Sequence, residues 1–191
     1  MFEEEVKSPK VLILFGHPAY QKSRNQRAMK EAIVESGMAR VRDLYSLYPD
    51  GLIDVEAEQR ELVWADIIVL QHPFFWYSTP AIFKDYADLV LEYGFAYGEN
   101  GNKLQRKFWA HAITTGGPEE SYQPLGYNRF SIRQLLAPWE QTAHLCGCRF
   151  IDPFVHHGAH QVDTDRVRSL KQNYLKFVER LKEQFLTEKR T

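Results

Sequence analysis

Residues 11–16 read Val-Leu-Ile-Leu-Phe-Gly, an unbroken apolar run closed by a glycine, and they decide the fold. A strand with one wet face alternates apolar and polar side chains. A run with no polar member is the pattern of a strand covered on both faces, as in a parallel sheet lying between helices. Working outward, Ala28, Met29, Ala32, Ile33 and Ser36 keep to one helical face, and Gly37 follows as a stop. A short strand is expected over 39–44, a polar helix over 55–64 and a strand over 67–70. Thr79 is placed to cap a helix with Pro80 as its first residue, running through Ile82, Phe83, Tyr86, Leu89, Val90 and Tyr93 to Gly94. A fourth strand fits 108–114, a helix 131–145 and a fifth strand 149–152, closed by Pro153. The last helix opens near Asp163 and turns Val167, Leu170, Tyr174, Phe177, Leu181 and Phe185 inward; packing on its own sheet suits so short a stripe better than a coiled coil. Five strands alternating with helices imply an α/β fold with a parallel sheet and helices on both faces, in one domain over 1–191. Residues 1–9, with Glu3, Glu4 and Glu5 in a row, read as a leader to the first strand.

Composition narrows the function. With 24 Lys and Arg against 25 Asp and Glu, the formal net charge is -1, so nothing draws the chain generally to nucleic acid, and no nucleic-acid partner is expected. Cys146 and Cys148 are too few and too close for a secreted disulfide framework; they read as small buried thiols of a cytoplasmic protein. No apolar run approaches the roughly 20 residues that span a bilayer, so any membrane role would go through a partner.

In an open parallel sheet, ligands sit beyond the carboxyl ends of the strands. Three loops there are unusual. The first, 16–25, lacks both the dinucleotide and the P-loop glycine patterns, but brings Ser23, Arg24 and Asn25 to the start of a helix. Those residues either cap the helix or complete a phosphate site at its positive end. The second, 72–80, sets Phe74, Phe75, Trp76 and Tyr77 in a row, suited to a planar heterocycle such as a flavin, to a subunit interface, or to ordinary loop packing. The third, 114–118, pairs two threonines with Gly116 and Gly117, for close approach of backbone to a ligand or for a tight turn. His156, His157 and His160 lack metal-ligand spacing and read as a loop past the fifth strand, at a dimer surface; no metal site is expected. His111 reads as a satisfied core residue within a strand.

Taken together, residues 11–25 with His17, the stretch Gln71-His72-Pro73-Phe74-Phe75-Trp76-Tyr77 followed by Pro80-Ala81-Ile82-Phe83-Lys84, and Thr114-Thr115-Gly116-Gly117 resemble the NAD(P)H:quinone oxidoreductases of flavodoxin-like fold. Asp43-Leu44-Tyr45, Tyr48-Pro49-Asp50, Ile53-Asp54, Glu58-Gln59 and Tyr127-Asn128-Arg129-Phe130 look most like the ancillary subunits of glutathione-regulated potassium-efflux systems. The resemblance implies strand order 2-1-3-4-5, a homodimer, and FMN or FAD reduced by NADH or NADPH and reoxidised by a quinone in ping-pong fashion. It also implies, as the alternative, a regulatory subunit docked on the cytoplasmic face of a potassium-efflux transporter at the inner membrane, with little turnover. By position, His17, Ser23 and Asn25 would hold the flavin phosphate. Pro73, Phe74, Trp76 and Tyr77 would line the ring largely through the main chain, and Thr114, Thr115, Gly116 and Gly117 would meet its polar edge. Tyr122 would face the hydride-transfer pocket. Members of the family carry a histidine six residues beyond that tyrosine; here the position is Asn128, which cannot take up and return a proton near neutral pH.

Overall fold

The computed structural model describes residues 8–160 and 163–189; the acidic leader at Glu3 to Glu5 and the tail end at Arg190 lie outside them. The sheet is built from β1 (Val11–Phe15), β2 (Arg40–Asp43), β3 (Ile67–Pro73), β4 (Phe108–Thr114), β5 (Arg149–Phe150) and β6 (Phe154–His156). All pairings are parallel, in the order β2-β1-β3-β4-β5 with β6 also on β4, and this is the flavodoxin-like arrangement. The helices are α1 (Arg24–Ser36), the single turn α2 (Leu44–Leu47), α3 (Val55–Trp64), α4 (Ala81–Val90), α5 (Ile132–Leu135), α6 (Ala137–Leu145) and α7 (Thr164–Lys189).

Strand periodicity divides the core into two layers. Leu12, Leu14, Ile68, Leu70, Trp109 and Ile113 face one way, against Leu62, Phe83, Tyr86 and Trp139 of α3, α4 and α6. Val11, Ile13, Ile67, Val69, Phe108 and Ala110 face the other way, against Met29 and Ile33 of α1 and the α7 stripe Leu170, Tyr174, Phe177, Leu181 and Phe185. Every residue of β1, β3 and β4 is buried, which is why β1 carries no polar residue. Val167 is only half-buried, so the inward stripe of α7 begins at Leu170.

Four boundaries differ from the sequence expectation. First, β3 runs on to Pro73, because His72 is buried in the layer rather than beginning a loop. Second, α4 starts at Ala81 without a side-chain cap from Thr79 and ends at Val90, well before Gly94. Third, the 131–145 helix is two helices joined at Leu136. Ser131 and Gln134 cap the first reciprocally, and Pro138, which has no N–H to give, sits in the opening turn of the second. Fourth, the fifth strand does not end at Pro153: it breaks over 151–153 and resumes beside β4 as β6.

His72 and His111 form a fully buried pair between β3 and β4. Their tautomers follow from the network. The Pro73 carbonyl can only accept, so His72 Nδ1–H donates to it at 2.9 Å. His111 Nδ1–H then donates to His72 Nε2 at 3.0 Å, and Trp109 Nε1–H donates to His111 Nε2 at 3.4 Å. Both imidazoles are neutral donor–acceptor links, and burial lowers His72 to about 4 and His111 well below its ordinary value. Because the folded pKa is depressed, the unfolded chain binds more protons below pH 6.5, and stability falls as pH drops toward 4. Denaturant unfolding at pH 7 and 5 should show this loss, and His72→Gln should remove one imidazole's share, up to about 1.4 kcal/mol per pH unit. A slope unchanged by the substitution would contradict the neutral assignment.

Candidate functional site

A cleft of about 760 Å³ opens beyond the carboxyl ends of β1, β3 and β4, lined by His17, Ser23, Asn25, Pro73, Phe74, Thr114 and Gly116 among others. A side chamber of about 300 Å³ adjoins it through Phe74, Trp76 and Gly116 and reaches Gly117, Tyr122 and Asn128. These two spaces bring together all the residues picked out by sequence except Thr115, which is fully buried just beneath them.

At the start of α1, Ser23 does what a helix cap does: its Oγ accepts from the Gln26 amide at 3.2 Å. The preceding amides, those of Arg24 and Asn25, have no carbonyl to reach within the helix. Both residues line the cleft, and the first turn carries no acidic side chain, so this end is open to an anion. The Asn25 side chain is committed elsewhere, its Nδ2 donating to Ala159 O at 2.9 Å. His17 Nδ1 accepts from the Ala19 amide at 3.0 Å, which leaves the hydrogen on Nε2, and burial lowers its pKa. His17 thus offers the cleft a neutral N–H.

The aromatic loop is a turn in which Trp76 and Tyr77 have φ of 48° and 64°, closed by the Ser78 amide donating to Phe75 O at 3.0 Å. Two successive positive φ values define the mirror-image turn that normally recruits Gly or Asn. Here two bulky aromatics adopt it, at a cost of roughly 1–2 kcal/mol each. The backbone amides of Trp76 and Tyr77 make no hydrogen bond among the described residues, and both residues line the cleft or its side chamber. The rings do not form a closed wall: Trp76 is 93 % exposed, while Phe74 is buried and packs edge-on to Tyr122.

In the third loop both threonine hydroxyls are bonded within the protein. Thr114 Oγ1 accepts from Gln26 Nε2 at 3.2 Å, and Thr115 Oγ1 donates to Gly117 O at 2.8 Å. The Gly116 and Gly117 amides, which have no partner among the described residues, are left for a ligand. A Cβ on Gly116 would come within 2.6 Å of His160 Nε2, so the backbone there is closely approached. Tyr77 Oη donates to Asn128 Oδ1 at 3.3 Å, tying the second loop to the residue that stands near Tyr122.

The structure adds what the sequence reading missed. His160 and Ala159 line the cleft, and His157 Nδ1 lies 2.9 Å from Thr115 Oγ1. The three histidines are therefore not merely a loop past the sheet: His156 is in β6 and His157 follows it directly. The resumption of an apolar pair, Phe154-Val155, after Pro153 was the available signal. Among the described residues, no cluster able to hold a metal ion is present, and both cysteines are buried, burial pushing Cys146 up to about 11 and Cys148 up to about 12. No helix of the described residues is long and apolar enough to cross a membrane.

Residues 9–181 match a family described by its flavodoxin-like fold. The chain belongs to that family. An NAD(P)H oxidoreductase of Bacillus subtilis, YdeQ, is 40 % identical over 169 residues, 88 % of this chain and 86 % of YdeQ. The potassium-efflux ancillary protein KefG of Pectobacterium carotovorum is 40 % identical over 166 residues, covering 87 % and 91 %. Among solved structures, general stress protein 14 of Treponema denticola in complex with FMN superposes with a TM-score of 0.86 at 33 % identity, covering 91 % and 99 %. An NADPH-quinone reductase of P. pentosaceus superposes with 0.80 at 27 %, covering 88 % and 97 %. The chain is thus a member of the NAD(P)H:quinone oxidoreductase-like flavodoxin fold family, similar to the ancillary proteins of potassium-efflux systems.

In the flavin-free monomer, Trp76→Gly should leave stability equal or raise it by about 0.5 kcal/mol, since it removes left-handed strain at a side chain exposed in the single chain. Trp76→Val should lose about 1 kcal/mol at the same exposed site. Equal denaturation midpoints for the two variants would contradict the strained turn.

Proposed function

We propose that the protein is an FMN-dependent NAD(P)H:quinone oxidoreductase working as a homodimer. The observation that carries this is that main-chain amides without a partner among the described residues come together at one cleft: those of Trp76 and Tyr77 from a strained turn, those of Gly116 and Gly117, and those of Arg24 and Asn25 at a helix start. The residues fit the cofactor. The α1 end and His17 Nε2–H would take the phosphate, with Lys22 and Arg24 adding positive charge at the rim. The two loops of amides would hydrogen-bond the carbonyl edge of a flat ring and stabilise negative charge there. FMN rather than FAD is supported by the FMN held in the Treponema denticola structure. The chemistry FMN supplies is passage of a hydride from NADH or NADPH to a quinone, donor and acceptor using the same face in turn.

The chain's own part is to bind, orient and dry the ring. Trp76, Tyr77, Leu125, Tyr127 and Phe130 are exposed around the side chamber and its neighbouring loop, an apolar surface that a second copy would cover. Tyr122 lines the chamber as an O–H donor, burial holding its phenol above the ordinary value. The second reading, a flavin-holding regulatory subunit of a potassium-efflux transporter, is favoured by the likeness to KefG.

The purified chain should bind FMN and oxidise NAD(P)H with a quinone; flavin-loaded protein without turnover, co-purifying with a transporter, would favour the second reading. Ser23→Asp places like charge beside the phosphate and should weaken FMN on the order of 100-fold, read by fluorescence of released flavin. Unchanged flavin content would remove Ser23 from the site. Tyr122→Phe should lower kcat roughly tenfold while FMN affinity holds; equal losses in both would count against its placement.

A further inference from the structure

Lys30, in the second turn of α1, brings its ammonium to three groups on other segments. It donates to Asp43 Oδ2 at 2.5 Å, and it stands 4.8 Å from the ring centroid of Phe15 and 4.6 Å from that of Tyr20. The two rings meet edge to face, with centroids 5.5 Å apart and planes at 83°, so one cation serves both. Only 20 % of the Lys30 side chain and 15 % of the Asp43 side chain are exposed, and water screens such contacts poorly. Asp43 Oδ1 is taken by the Ser46 amide at 3.2 Å, and Lys30 is the counter-charge of this carboxylate.

The cluster joins the first site loop to the sheet. Phe15 closes β1, Asp43 closes β2 and stands opposite Phe15 in the ladder, and Tyr20 opens a single 3₁₀ turn, Tyr20–Lys22. That turn buries no side chain of its own. Its internal bonds are two, the Lys22 amide donating to Ala19 O at 2.9 Å and the Ser23 amide donating to Tyr20 O at 3.0 Å. Yet Ala19, Lys22 and Ser23 line the cleft beside Arg24 and Asn25, at its anion end. The Tyr20 ring on Phe15, with Lys30 reaching both from the helix, fixes where that lining stands. Asp43 lies at the same end of the sheet, and its charge reaches His17. Left bare, it would repel an anion at the start of α1.

We propose that Lys30 is a positioning residue that makes the cleft select a phosphorylated flavin over the uncharged parent, by clamping the turn Tyr20–Lys22 and by neutralising Asp43 behind it. The inference rests on the flavin-binding function above. Lys30 is not among the residues lining the cleft, so it acts through the turn and through charge rather than by touching the ligand. A phosphate monoester carries close to two negative charges near neutral pH, whereas riboflavin carries none, so only FMN feels both effects.

Two measurements on the full chain test this. In the flavin-free protein, amide hydrogen exchange at Lys22 and Ser23 should quicken about tenfold in Lys30→Gln while Val69 in β3 keeps its rate, and Lys30→Arg, which retains a cation at the rings, should restore slow exchange. Unchanged exchange in Lys30→Gln overturns the clamp, and so does equal acceleration at Val69, which marks a general loosening. In fluorescence titrations, Lys30→Gln should weaken FMN about tenfold and riboflavin by no more than about twofold; adding Asp43→Asn, which keeps the cap on Ser46, should recover about threefold for FMN. Equal losses for the two flavins, or no recovery in the double variant, overturn the selective role. If the unmodified protein binds neither flavin, the flavin function fails and the selection with it, whereas the exchange rates still decide the clamp.

Discussion

Everything at the site depends on one rigid edge, the end of the β3–β4 ladder. Pro73 stands opposite Thr114, and the Phe74 amide donates to Thr114 O at 2.8 Å, so the ladder is carried one step past the proline. Beneath it, His72 Nδ1–H holds the Pro73 carbonyl. From that anchor the chain enters the left-handed turn at Trp76 and Tyr77. A free loop would relax such a turn. An anchored one keeps it, since strain of this sort persists only where the surroundings enforce it.

The enforcement reaches across the molecule through buried polar side chains. Tyr174 Oη of α7 donates to Gln71 Oε1 at 2.9 Å, and Gln71 Nε2 donates to Gln26 Oε1 at 3.0 Å. Gln26 Nε2 in turn donates to His72 O at 2.7 Å and to Thr114 Oγ1 at 3.2 Å. Each amide fixes the orientation of the next, so α1, β3, β4 and α7 meet the cleft at set positions. Burying these groups is tolerable because each found its partner, and losing one would leave the others unsatisfied inside the core.

Much of this was legible in the sequence, for identifiable reasons. Apolar runs wrote β1 and β4 to the residue, and the stop at Gly37 and the polar pattern of α3 marked those helices correctly. The three loops that line the cleft stood out because they broke rules: aromatics where a turn should be polar, and glycines beside threonines after a buried strand. What failed were cases where partners lie far along the chain. His72 looked like loop because its partner, His111, is 39 positions away. His157 looked like surface because the strand that places it, β6, resumes after a proline. Nor does the sequence show that the Thr114 hydroxyl accepts from Gln26 or that the Thr115 hydroxyl donates to Gly117 O. The bond from Asn25 Nδ2 to Ala159 O, 134 positions on, is likewise invisible in the sequence.

The central claim is that free backbone amides from three loops form one flavin cradle. Amide proton–nitrogen correlation spectra of the protein titrated with FMN test it most directly. The largest shifts should fall on Arg24, Asn25, Trp76, Tyr77, Gly116 and Gly117, with the remainder of the described chain nearly still. Shifts centred on another surface, or none at millimolar FMN, would contradict it.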